Sequence, residues 1–294
     1  MRMLLPILLL LSLPLAAPAQ QRPLTTEEAE TVPAGETLVQ FGFEYLQDVR
    51  FPLSGLEGDL SRVGVLDVRM GISRAAEIEI QGTIRNFLSV SEQGAAFVAL
   101  APGQRPALSL SRGATSTSDF GDFTLAAKFR LRAETERHPA IGLRFGFEMP
   151  NSDEARGIGL NTTNIFATLL AQKHFGKLNL FGNLGLGIFE APAGSFSQND
   201  LILYGLGAVY PVHARVNLVG EVAGRQSTRS TPVSSALVGT GSRSQARLGV
   251  QVFAGGFRWD FAGIAGLTKN DANTGFAFGV SKSLRLWSAS GTTR

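Results

Sequence analysis

Apolar and polar residues alternate with a period of two along most of the chain. The alternation is clearest over 163–190, TNIFATLLAQKHFGKLNLFGNLGLGIFE. Gly176 and Lys177 read as a two-residue hairpin turn there, a connection that fixes strand register. Such a turn sets Phe175 against Leu178, Ala171 against Gly182, Leu169 against Leu184 and Ala167 against Leu186, an entirely apolar or Gly row. The other parity opposes His174 to Asn179, Gln172 to Phe181 and Thr168 to Gly185. One face is greasy and the other is mixed. The predicted strands exceed the usual globular length of about 5–6 residues and suit a tilted membrane strand of roughly 9–11.

The same pattern recurs from residue 36 onward, with apolar residues on one parity and polar ones on the other. Val39, Phe41, Phe43 and Tyr45 oppose Gln40, Gly42 and Glu44. Leu66, Val68, Met70 and Ile72 oppose Asp67 and Arg69. Ile78, Ile80 and Ile84 oppose Glu77, Glu79, Gln81, Thr83 and Arg85. Leu125, Ala127, Phe129 and Leu131 oppose Lys128, Arg130 and Arg132. Leu143, Phe145 and Phe147 oppose Arg144 and Glu148. Later rows are built on Ile202, Tyr204 and Leu206; on Leu218 against Glu221; on Leu248 and Val250 against Arg247; on Trp259 and Phe261; and on Phe276 and Phe278. The expectation is an all-β fold, a transmembrane antiparallel barrel of about twelve strands.

Connection lengths provide a second signal. Those centred on 47–61, 88–119, 150–162, 191–200, 227–242 and 269–274 read as long, and those near 73–76, 133–139, 176–177, 211–214 and 255–256 as short. Outer-membrane barrels sort extracellular loops from periplasmic turns in this way. A soluble sandwich has no reason to.

Composition narrows the class. Only 17% of residues are charged, Gly numbers 34 and Cys is absent. A mean hydropathy of +0.11 is too polar for a bundle of membrane helices, and a net charge of +3 is too small to argue for a nucleic-acid partner. The start, Met1 and Arg2, precedes an apolar run at 4–15 of about twelve residues and then Ala17-Pro18-Ala19, the layout of a cleaved signal peptide. The expected organisation is therefore a signal peptide at 1–19, a polar periplasmic lead-in at 20–35 whose sixteen residues are few for a plug, a barrel at 36–287 and a tail at 288–294. The expected location is the outer membrane of a Gram-negative-type bacterium. Its expected partners are outer-membrane lipid, the barrel-assembly machinery and small-molecule solutes.

The block 121–190, the opening RPLTTEEAETVPAGETLVQFGFEY, the stretch QNDLILYGLGAVY and the later GGFRWDFAGIAGL together resemble an outer-membrane family catalogued under the MetA-pathway of phenol degradation and often labelled simply "transporter". The resemblance covers nearly all of the mature chain and rests on strand and turn patterns. It implies an outer-membrane barrel with a transport role toward aromatic or hydrocarbon compounds, and no catalytic residues. The chain departs from the pattern near its end, where Lys282 and Leu284 stand at positions expected to be aromatic.

The inward parity carries the chemistry. A charged side chain facing lipid at mid-membrane costs about 2–4 kcal/mol, so parity assigns most charges to the lumen. The candidate selectivity residues are Asp67, Arg69, Glu77, Glu79, Arg85, Lys128, Arg130, Arg132, Arg144, Glu148, Glu221 and Arg247. Basic residues slightly outnumber acidic ones on this parity, so a mild anion preference is expected. Arg69, Glu77, Glu79, Arg130, Arg132 and Arg144 should form a charge ladder near the periplasmic end, either a salt-bridged filler or a constriction. An outer-membrane hydrolase would need a His beside a Ser nucleophile, yet His138, His174 and His213 all fall at periplasmic turns. No metal, cofactor or nucleotide motif is present. A structural or adhesive barrel without a pore is the other alternative, supported by the long loop at 89–119 with its apolar piece Phe97-Val98-Ala99-Leu100.

Overall fold

A computed structural model describes residues 22–94, 110, 113–190, 198–228 and 240–287. The expected signal peptide, the tail 288–294 and the apolar piece at 97–100 lie outside the described residues.

The described chain forms thirteen antiparallel strands in one sheet. They are β1 (Glu36–Phe51), β2 (Leu56–Ser73), β3 (Ala76–Gln93), β4 (Ser116–Asp119), β5 (Phe123–Arg132), β6 (Ala140–Met149), β7 (Asn164–Phe175), β8 (Leu178–Glu190), β9 (Gln198–His213), β10 (Val216–Ser227), β11 (Arg243–Ala254), β12 (Phe257–Gly266) and β13 (Thr274–Arg285). Twelve of them close a ring in which β13 returns to pair with β1, from Glu36 opposite Arg285 to Leu46 opposite Gly275. Closure leaves no wall edge unpaired, which is what a sheet needs if it is to stand in lipid. The four-residue β4 is a side piece that pairs with the upper part of β3.

Register follows the pattern of side chains. In the β7–β8 hairpin Phe175 pairs with Leu178, Ala171 with Gly182, Leu169 with Leu184, and Thr168 with Gly185. Ile165, Leu169, Leu184, Leu186 and Ile188 are exposed on the outside, while Leu170, Gln172, Asn179 and Phe181 are buried inside. Aromatic rings pair across the outer surface, among them Phe43 with Phe276 and Phe261 with Phe278.

Short turns gather at one end of the barrel, such as Gly255 and Gly256, whose φ values of 63° and 77° fit a tight primed turn. Longer connections gather at the other, the loop end. Two of these are shorter than expected. β1 and β2 run on to a turn at 52–55, and β3 runs on to Gln93. Beyond the bilayer a ladder needs no greasy face, so polar residues such as Arg50 and Glu57, 3.1 Å apart, remain in strand.

One bulge reshapes the wall. Gly64 on β2 takes φ +69°, and the register of β1 against β2 shifts beside it, between Gly42 and Phe43. A bulge adds one residue to one strand and so reverses side-chain parity beyond it. Val65 is buried below the bulge, whereas above it Val63 is exposed and Arg62 turns inward.

The lumen is filled by two kinds of material. In the loop-end half, Leu46, Val49, Leu56, Leu60, Leu88, Ile264, Ala272 and Ala277 form an apolar cluster, packed further by Phe51, Val90, Leu110 and Ile158. Below it the wall is polar and charged.

A charged lumen crossed by an N-terminal strap

Residues 22–35 do not hang below the barrel as the expected lead-in. They run inside it. Twelve strands enclose more space than the roughly eight whose own side chains fill the interior, and this segment occupies the difference. It is irregular backbone, so its N–H groups need partners from the wall. Glu221 accepts from the backbone N–H groups of Thr25 and Thr26 at 2.8 and 2.7 Å. Asn183 clamps Glu27 from both sides, accepting from its N–H at 2.6 Å and donating to its carbonyl at 2.7 Å. Gln172 accepts from Ala29 and Glu30 at 3.1 and 3.2 Å, and Glu77 accepts from Val32. Arg247 and Gln251 donate to the carbonyls of Pro23 and Arg22 at 3.1 and 2.7 Å. From Arg22 to Val32 the strap thus bonds to β11, β10, β8, β7 and β3 in turn. Its apolar anchor is Leu24, buried against Phe181, Val209 and Val219, with Ala29 set against Ala140 and Leu170.

Side-chain alternation on β2, β3, β5 and β6 brings six candidate residues together beside the strap. Arg69 lies 2.9 Å from Asp67, Lys128 2.7 Å from Glu77 and Arg144 2.7 Å from Glu79. Three wall cations therefore face three wall carboxylates. The strap adds Glu27, 3.0 Å from Arg69, 3.6 Å from Arg144 and 3.8 Å from Lys128. Lys128 and Arg144 are cross-strand neighbours of like charge, tolerable only because each has its own carboxylate. A second cluster joins Arg247 to Glu44 at 2.8 Å and to Glu221 at 3.6 Å, with Arg62 2.9 Å from Glu44. A third sets Arg258 2.9 Å from Asp260 and within 3.0 Å of Gln40 and Ser281.

The remaining candidates lie elsewhere. Arg130 pairs with Glu30 of the strap near the turn end. Arg132 is exposed and donates to the Pro139 carbonyl at 3.3 Å, because the register of β5 against β6 shifts between Arg130 and Arg132. Its expected place in the charge ladder is filled by Lys128. Arg85, expected in the lumen, pairs with exposed Val63 above the bulge. Its guanidinium lies 5.0 Å from the exposed ring of Phe120 and 6.0 Å from that of Phe87, and it donates to Ser118, on the outer face. Glu148 accepts from Asn164 at 2.6 Å. Parity counting missed Arg62, whose only sequence signal is Gly64 inside a strand. It also missed Glu27 and Arg22, which belong to a segment without periodicity.

The three histidines sit at the turn end. His174 Nδ1 is 2.8 Å from Glu134, which also holds Lys173 at 3.0 Å. Partial burial works to raise the Glu134 carboxyl, but the bonds from His174 and Lys173 outweigh it and bring it down to about 2. His213 Nδ1 is 3.3 Å from the Arg215 backbone N–H, and the His138 N–H donates to Thr135. Two cavities flank the strap. One of about 350 Å³ is lined by Thr25, Glu27, Arg144, Arg225 and Arg243. The other, about 240 Å³, is lined by Arg22, Glu44, Arg62, Asp122, Glu148 and Arg247.

No protein-family model matches the chain, and no curated protein matches it in sequence. Among solved structures it is similar to the COG4313 outer membrane channel from Pseudomonas putida F1, at 16% identity and a TM-score of 0.59 over 87% of this chain and 98% of that one. It also aligns with the NanC porin at 6% identity and a TM-score of 0.46, over 83% of this chain and 97% of that one. A deltaS2 mutant of the TodX monoaromatic hydrocarbon channel aligns at 10% identity and a TM-score of 0.46, over 87% and 91%. The closed antiparallel ring and its likeness to the first of these structures make the fold that of an outer-membrane β-barrel.

Proposed function

We propose that the chain is an outer-membrane channel passing small solutes through a charged lumen, with the 22–35 strap as the element that closes it. The observation that carries this reading is how the strap is held. Its backbone bonds to wall side chains, not to a strand ladder, each contributing a net of about 0.5–1.5 kcal/mol where the partner is neutral, as at Gln172 and Asn183, and about 1.5–3 kcal/mol where it is charged, as at Glu221, Glu77 and Arg247. Its two larger buried apolar side chains, Leu24 and Val32, contribute roughly 1.5–3 kcal/mol each. A strap held this way can leave the lumen without opening the wall. Its departure also removes Glu27 from Arg69, Lys128 and Arg144, leaving those cations to the wall carboxylates and passing solutes.

In this reading the apolar outer face meets outer-membrane lipid, the barrel-assembly machinery inserts the exported chain, and the short turns face the periplasm. Aromatic or hydrocarbon compounds are the solute class that the family resemblance favours. The test is solute-driven swelling of liposomes carrying the purified barrel. Swelling by small polar solutes that increases when residues 20–32 are deleted supports the channel; impermeable vesicles with both proteins reject it. A second reading, a structural barrel without a pore, is favoured by the filling of both lumen halves, and the same impermeable result would establish it.

A further inference from the structure

We infer that the outer wall around Arg85 is a docking site for a phosphorylated glycolipid of the outer leaflet, whose phosphate this guanidinium holds. The site exists because of the bulge at Gly64. Arg85 pairs with exposed Val63 across the β2–β3 ladder and so points out of the barrel, beside exposed Ile84.

Height decides what it meets there. Arg85 is nine positions on from Ala76, the foot of β3 at the turn end. A tilted strand climbs roughly 2.5 Å per residue, which puts Arg85 about 23 Å up an apolar band about 25 Å tall. It stands near the upper edge of that band, where the headgroups of the loop-end leaflet begin. Two other outward cations have a carboxylate of their own: Arg50 lies 3.1 Å from Glu57 and Lys173 3.0 Å from Glu134. Arg85 makes no ion pair among the described residues. Its Nη2 donates to Ser118 at 2.7 Å, and Nε and Nη1 have no hydrogen-bond partner among the described residues. The rings of Phe120 and Phe87, 5.0 and 6.0 Å away, brace the guanidinium. A planar fork held in apolar surroundings is suited to two oxygens of one phosphate.

The wall on either side completes the match to an amphiphile. Above Arg85 a groove of about 760 Å³ is lined by the hydroxyls of Tyr45, Ser61, Ser89, Ser116 and Ser118. Its one carboxylate among the described residues, Asp59, accepts from the Tyr45 hydroxyl at 2.7 Å. Hydroxyls are the partners a sugar needs. Below, Val63 and Ile84 offer exposed hydrocarbon to acyl chains. Sugar, phosphate and acyl chain therefore meet matching surface in that order down the wall, and a phospholipid has no sugar ring for the groove.

The site takes only its orientation, short turns toward the periplasm, from the channel reading. Native mass spectrometry of the full-length detergent-solubilised barrel with diphosphoryl lipid A, its dephosphorylated form, phosphatidylglycerol or inorganic phosphate separates the cases. The expected result is retention of diphosphoryl lipid A at least fivefold above that of the dephosphorylated form and of phosphatidylglycerol. Arg85→Gln should abolish that preference and Arg85→Lys keep part of it, while Arg215→Gln at an exposed turn should keep all of it. Heat-modifiable migration on a gel confirms that each variant is folded. Equal retention of the dephosphorylated form, or an unchanged preference in folded Arg85→Gln, overturns the site. Stronger retention of phosphatidylglycerol, or displacement of lipid A by equimolar inorganic phosphate, overturns the glycolipid as its occupant. A barrel that retains lipid A but never conducts would instead reject the channel reading and leave the docking site standing.

Discussion

The two halves of the lumen are closed by opposite physics. At the loop end Leu46, Leu60, Leu88 and Ile264 close on one another, wall against wall. Below them a separate piece of chain crosses the lumen, and Arg69, Lys128 and Arg144 meet carboxylates from both wall and strap. Hydrating the apolar half exposes hydrocarbon at about 25 cal/mol per Å². Hydrating the charged half exchanges hydrogen bonds for water at small net cost. The difference places rigidity at the loop end and adjustability around the strap.

Substitutions in each half should therefore fail differently. The largest effect is expected from Arg69→Gln, since Arg69 lies within 4 Å of Glu27, Asp67, Glu77 and Glu79. Removing one partner of a buried pair costs about 3–5 kcal/mol. Urea unfolding from detergent should register that loss, and reversal potentials should move toward cations. Leu88→Ala should cost about 2–5 kcal/mol by leaving a cavity, with no change of selectivity; a selectivity shift in this variant would dissolve the contrast between the halves.

Gly64→Val tests the boundary between them. A Cβ there would sit 2.8 Å from the Ile84 side chain at a φ of +69°, so a loss of about 1–3 kcal/mol is expected, with Arg62 released from Glu44. An unchanged melting temperature would show that the bulge tolerates a side chain. The smallest effect belongs to Glu134 at the turn end. Its carboxyl is depressed to about 2, so its contribution is complete above the ordinary carboxylate range of about 4.3 and is lost as pH falls through about 2. Glu134→Gln should shift the melting temperature slightly at neutral pH and not at all below pH 2.

Much of the wall was legible because a strand facing lipid on one side and a polar lumen on the other must alternate. Gly176 and Lys177 set the β7–β8 register, and the pairs around them fall where the turn puts them. What parity could not read was whatever broke it. The bulge at Gly64 moved Arg62 inward and left Arg85 outside, and the shift after Arg130 sent Arg132 to the surface. The strap escaped for a deeper reason. Thr25, Thr26 and Glu27 make no pattern of their own, and their partners Glu221, Asn183 and Arg69 lie far along the chain. Glu27, which touches all three cations of the main cluster, looks from sequence like any acid in a polar leader.

The most direct test is single-channel conductance in a planar bilayer for the intact chain and for one lacking residues 20–32, both checked for folding by heat-modifiable migration. The account predicts small or infrequent openings for the intact barrel and openings several-fold larger or longer for the deletion. Identical traces from two folded proteins would contradict it.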